Sequence, residues 1–120
     1  MHEVSICQTI IDSLEEEFDE SRLGDIRRVF LHIGVLSCVE PIVLKHVFNM
    51  MTKDSLLENA ELETELIGVL AFCESCNKEF NVEKYVFMCP ECGKPSSRII
   101  RGKELQIHKI ILETPQYEKA

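Results

Sequence analysis

Two groups of residues in this chain could do metal chemistry, and they call for different ions. The first is Met1-His2-Glu3. The α-amine of Met1, the amide nitrogen of His2 and the imidazole of His2 are joined by short covalent bridges. They can close two fused chelate rings on one ion, with the amide of Glu3 or an outside group as fourth donor. Four nitrogens held in a plane suit Ni(II) or Cu(II) better than Zn(II), which takes a tetrahedron. The chelate needs a free amine. Glu3, Asp12 and the run Glu15-Glu16-Glu17 break any apolar core of a signal sequence, so none is expected. The bulk of His2 disfavours removal of Met1, which is expected to stay. The plainer alternative is a start residue followed by a surface histidine.

The second group is sulfur. Four of the six cysteines fall as Cys73-Glu-Ser-Cys76 and Cys89-Pro-Glu-Cys92, separated by 12 residues. Two cysteines three positions apart can wrap one ion when the chain turns back and donates backbone N–H to sulfur. Asn77 and Gly93, directly after the pairs, are types that tolerate the left-handed backbone such a turn needs. Four thiolates on one ion make a closed Zn(II) site, which holds structure and leaves no position for catalysis. A redox dithiol would need an exposed thiolate of low pKa, and two matched pairs with turn residues argue against it. An iron–sulfur centre is the remaining alternative. Nothing points to secretion, so a disulfide framework is not expected.

The elements that position these groups follow from periodicity. Cys7, Ile10, Ile11, Leu14 and Phe18 recur at helical spacing over 4–18. A helix starting directly after His2 tethers the nitrogen site to a rigid element. Ile26 to Val35 alternates as a strand with Val29, Leu31 and Ile33 on its buried face. Glu40-Pro41 announces a second helix to about Thr52, with Ile42, Val43, Val47, Phe48 and Met51 as its stripe. Glu61 to Ile67 alternates again, with Leu62, Thr64 and Leu66 inward. Within the cysteine module, Glu79–Val82 and Lys84–Met88 are expected as hairpin strands. Glu104 to Glu113 reads as a third strand with a slip between Ile107 and Ile110, and 116–120 as a frayed tail. The expected fold is α+β, with two helices on one face of a three-stranded sheet. Residues 1–70 with 102–120 form that domain, and 71–101 form a zinc-ribbon module inserted at the end of a sheet hairpin.

Charge limits the partners. The net charge is -8, and it grows more negative when four thiolates hold one divalent ion. A polyanion is repelled, because binding it rests on Lys and Arg neutralising phosphates. The module's cations, Lys78, Lys84, Lys94, Arg98 and Arg101, are diluted by Glu74, Glu79, Glu83 and Glu91. No apolar run approaches the roughly 20 residues that span a bilayer. Neither nucleic acid nor membrane is expected as a partner. No nucleophile–base pairing or phosphate loop stands out, so no enzyme is expected. The rival to a metal carrier is a zinc-ribbon adaptor that binds protein or nucleic acid and handles no nickel.

Met1-His2-Glu3, Gly34-Val-Leu-Ser-Cys38-Val-Glu40, Glu58-Asn-Ala60-Glu-Leu62, the two cysteine pairs and Gly102-Lys-Glu-Leu105-Gln-Ile107 occur in this order. Together they closely resemble the HypA/HybF family of hydrogenase nickel-incorporation proteins, over essentially the whole chain. The resemblance implies a cytoplasmic nickel metallochaperone that delivers Ni(II) to the NiFe-hydrogenase large subunit with the GTPase HypB; it leaves a homodimer open. It implies a nickel site at Met1 (amine), His2 (imidazole and amide) and the backbone of Glu3. Glu40 is then an extra ligand or a group that supports one. The structural Zn(II) ligands it implies are Cys73, Cys76, Cys89 and Cys92. Cys7 is expected in the core, and Cys38 has no metal role. His32, His46 and His108 are read as surface or hydrogen-bonded histidines.

Overall fold

The computed structural model describes residues 3–113, so Met1, His2 and the tail from 114 onward lie outside it. Helix α1 (Glu3–Glu17) buries Ile6, Cys7, Ile10, Ile11 and Leu14, one stripe at the spacing that a helix of about 3.6 residues per turn requires. It ends where five carboxylates crowd residues 15–20 and the last turn has no cation. A one-turn helix, α2 (Glu20–Leu23), follows. The carbonyl of Asp19 accepts the amides of Arg22 and Leu23 at 2.9 and 3.0 Å, and Leu23 is buried. Burial of that leucine supplies what the local sequence lacks.

Strand β1 (Ile26–Gly34) buries Val29, Leu31 and Ile33 as the alternation predicts. A short 3-10 turn (Val35–Ser37) follows. Helix α3 (Pro41–Thr52) opens with Pro at its first turn, where the missing N–H costs nothing. Its buried residues are Leu44, Phe48 and Thr52. Of the expected stripe Phe48 is buried and Val47 and Met51 are half-buried, but Ile42 and Val43 are exposed and Leu44 is buried in their place. Thr52 is tolerated inside because its hydroxyl donates back to the Phe48 carbonyl at 2.9 Å.

Strands β2 (Glu61–Ile67), β3 (Val69–Cys73), β4 (Lys78–Val82), β5 (Ile99–Arg101) and β6 (Leu105–Leu112) complete the fold. With β1 they form two three-stranded sheets among the described residues, β2-β1-β6 and β4-β3-β5. β2 and β6 therefore flank β1 on either side and do not pair as the expected hairpin. In β2 only Leu62 is buried, and Leu66 is 58% exposed. Along β6 the half-buried positions are 105 and 107, then 110 and 112, which is the expected phase slip. Lys84–Met88 is not a strand. Lys84 and Tyr85 take left-handed backbone, with φ of 55° and 61°, and Val86 N–H donates to the Glu83 carbonyl at 3.0 Å in a turn.

The described residues group into two compact units. The first comprises 3–31, 39–64 and 107–113. Its core includes Cys7, Leu14, Ile26, Val29, Leu44 and Phe48, each fully or almost fully buried. The Cys7 thiol donates to the Leu44 carbonyl at 3.5 Å, joining α1 to α3. Glu113 closes the unit, its amide donating to the Asp25 carbonyl at 2.8 Å and its carboxylate meeting Arg27 Nε at 2.6 Å.

The second unit comprises 32–38 and 65–106. Val69–Cys73 pairs antiparallel with Lys78–Val82 and with Ile99–Arg101. Gly34 N–H donates to the Glu104 carbonyl at 2.6 Å, and Leu36 N–H to the Gly102 carbonyl at 2.8 Å. The Glu104 carboxylate accepts the Gly102 amide at 2.7 Å, which holds its pKa below the usual carboxylate range.

Candidate metal centre

The cysteine site is built by two turns. β3 delivers Cys73 buried, at its last residue, and β4 begins at Lys78. Between them Asn77 takes φ of 57°, and the Cys76 amide points at Cys73 Sγ from 3.5 Å. The second turn repeats the device. Gly93 takes φ of 75°, its amide donates to the Cys89 carbonyl at 2.8 Å, and the Cys89 amide donates to the Lys94 carbonyl at 2.9 Å. Asn77 and Gly93 thus adopt the left-handed conformation for which the sequence marks them.

These turns bring all four sulfurs within 4.8 Å of one another. Cys73 Sγ lies 3.5 Å from Cys92 Sγ, and Cys89 Sγ lies 3.8 Å from Cys76 Sγ. Four sulfurs at about 2.3 Å from a tetrahedral zinc ion stand about 3.8 Å apart, so the cluster fits such an ion with little adjustment. Backbone amides of Cys92 and Glu91 pull the Cys89 thiol down to about 7, because donors aimed at sulfur favour the thiolate. Cys76 is pushed up to about 12, first by its hydrogen bond with Cys92. One thiol in the group is therefore ready to ionise, and a divalent ion would supply the charge that ionises the others.

Behind the sulfurs is a small core of Ala71, Cys73, Phe80 and Cys89, with Cys76, Val82 and Ile99 against it. Two exposed ion pairs, absent from the sequence reading, brace the turns. Lys78 Nζ meets Glu91 at 3.3 Å, and Arg98 meets Glu74 at 3.2 Å while lying 4.9 Å above the Phe72 ring. The only signal for them was one opposite charge beside each cysteine pair. Among the described residues, the four cysteines are the one group of His, Cys, Asp and Glu gathered closely enough to hold an ion.

Of the nitrogen site, Met1 and His2 lie outside the described residues. Glu3 is half-buried and is the first residue of α1. Glu40 immediately precedes α3, exposed, and its carboxylate makes no capping hydrogen bond. Cys7 is wholly buried, and desolvation followed by the nearby Glu3 carboxylate pushes its thiol up to about 11. It is a core residue. Cys38 is exposed on left-handed backbone (φ 59°) and lies outside the cluster. Among the described residues, no helix is long and apolar enough to cross a membrane.

The family model described as "Hydrogenase/urease nickel incorporation, metallochaperone, hypA" matches residues 1–112. The chain is 37% identical over 116 residues to the hydrogenase maturation factor HypA of Chloroflexus aggregans, covering 96% of this chain and all of that protein. It is 35% identical over 113 residues to the HypA of Acidithiobacillus ferrooxidans, covering 94% of this chain and all of the relative. The fold resembles the solution structure of the Ni metallochaperone HypA from Helicobacter pylori, with a TM-score of 0.67 at 24% identity over 96% of this chain and all of that one. A second solution structure of a HypA protein superposes with a TM-score of 0.70 at 23% identity, over 93% of this chain and 96% of that one. That family consists of metallochaperones, not enzymes. The chain belongs to the HypA family of nickel-incorporation metallochaperones that serve hydrogenase maturation.

Proposed function

We propose that the chain binds Ni(II) through the Met1 amine, the His2 amide and imidazole and the Glu3 backbone, and passes it to the NiFe-hydrogenase large subunit together with the GTPase HypB in the cytoplasm. The observation that carries this reading is the register of the N-terminus. The family match covers residues 1–112, and Glu3 lies in the packed helix α1, so along the chain the proposed donors of Met1 and His2 directly precede that helix. That anchoring lowers the freedom lost on binding, while an end-on site leaves coordination positions through which a partner can exchange ligands. Glu40 is the carboxylate we assign as an additional ligand or as a support for one.

Cys73, Cys76, Cys89 and Cys92 hold a structural Zn(II) in this reading, and residues 71–101 form the module it staples. Residues 1–70 with 102–120 form the nickel-handling domain. A span of about 30 residues rarely folds on its own core, and a bound metal supplies the deficit. The sulfur-to-sulfur distances support zinc at this site and leave no open position there for the cargo ion.

His2→Ala tests the nickel assignment. Nickel titration should show tight binding abolished, while zinc content and circular dichroism stay at their starting values. A variant that binds nickel normally would refute it.

A further inference from the structure

Helix α3 carries more apolar surface than its packing uses. A helix apolar on all sides is ordinarily buried on all sides, and Pro41–Thr52 comes close to that composition. Its buried side is nevertheless only Leu44, Phe48 and Thr52. On the other side Ile42 is 68% exposed and Met50 76%. With about 3.6 residues per turn, Ile42, His46, Asn49 and Lys53 fall in one outward row, with Met50 beside it. Ile42, Lys45, His46 and Asn49 line a shallow cleft of about 230 Å³.

The charge of this face is opposite to that of the chain. The protein has 21 Asp and Glu against 13 Lys and Arg, yet no carboxylate occurs between Pro41 and Lys53. Lys45 and Lys53 are both exposed, and neither has an ion-pair partner among the described residues. Helix α1 is the converse, with Glu3, Asp12, Glu15, Glu16 and Glu17 and no cation.

We propose that the outward face of α3 docks an acidic, apolar-anchored helical segment of a partner protein. Ile42 and Met50, about 12 Å apart along the axis, receive two apolar side chains, and Lys45 and Lys53 face carboxylates on its flanks. This is the helix-against-helix mode in which spaced apolar anchors give affinity and charges fix register. Two lysines are too few to hold a nucleic acid against a net charge of -8. A second copy of this chain would bring the same net charge, and on α1 its only large exposed apolar residue is Val4.

The test uses the full chain with its metals and a fluorescent helical peptide of about 18 residues, with Leu at eight-residue spacing on a Glu-rich background. Saturable binding, amide shift changes concentrated in residues 42–53, and at least about tenfold weaker binding by Ile42→Asp and by Lys45→Glu are expected. A peptide with Lys replacing Glu should also bind at least about tenfold more weakly. Both variants alter exposed positions, and unchanged thermal unfolding and nickel content would show that fold and cargo site are intact. Absent binding, equal binding of the Lys peptide, or indifference to the substitutions would overturn the proposal. So would sedimentation showing self-association that Ile42→Asp abolishes, because the face would then belong to a second copy.

Discussion

Cys73 Sγ and Cys92 Sγ stand 3.5 Å apart although 19 positions separate them in the chain. Two turns and the β3–β4 pairing create that proximity, yet the buried cluster there is only Ala71, Phe80 and two of the cysteines themselves. An ion bound across the sulfurs, as proposed, would therefore be the main support of the cysteine module. Cys92→Ser should release zinc and disorder the residues around it, since metal binding in comparable peptides supplies on the order of 10 kcal/mol. Metal analysis and amide spectra of residues 69–101 would check this. Retained zinc with unchanged spectra would mean three thiolates suffice.

The buried stripe of α3 passes through Leu44 and Phe48, not Ile42. Phe48→Ala should cost about 3–5 kcal/mol and Leu44→Ala about 2–5 kcal/mol. Ile42→Ala, on an exposed site, should stay within about 0.5 kcal/mol. Denaturant unfolding of the three variants measures the contrast directly.

Gly34 and Gly102 approach as backbones. A Cβ on Gly34 would lie 2.6 Å from the Glu104 amide nitrogen and closer still to the Gly102 carbonyl group. Gly34→Ala should therefore destabilise by about 1–3 kcal/mol or more, breaking the Gly34–Glu104 and Leu36–Gly102 hydrogen bonds. A thermal scan showing no change would contradict that approach.

Cys7 has a folded pKa of about 11, raised from 9.0 by burial. The folded state then holds the proton after the unfolded chain has lost it, so stability is full below pH 9 and is lost as pH rises toward 11. Cys7→Ala should flatten this slope. In zinc-loaded protein near neutral pH, a thiol reagent should label Cys38 and leave Cys7 untouched.

Much of this was readable from residue types. The paired cysteines with Asn77 and Gly93 declared the sulfur site, because its turns are local and use residues with few alternatives. β1 was equally plain, since Val29, Leu31 and Ile33 alternate with Arg28, Phe30 and His32. The phase of α3 was not, because apolar residues surround that helix and only packing against α1 selects Leu44 over Ile42. β3 and β5 were missed for a related reason. Val69–Cys73 is short and pairs on both sides with distant segments, and nothing local marks such pairing. Lys84–Met88 looked like a strand by composition, but the left-handed pair Lys84-Tyr85 turns the chain there.

Nickel affinity should fall as pH falls, because the ion must displace protons from the Met1 amine, with a reference pKa of about 7.7–8.0, and from backbone amide. The most direct measurement is a calorimetric nickel titration of the chain with its native N-terminus, beside the same chain extended by one residue before Met1. One tight site per chain is expected in the first and its loss in the second, with zinc content equal in both. Undiminished nickel binding by the extended chain would contradict it.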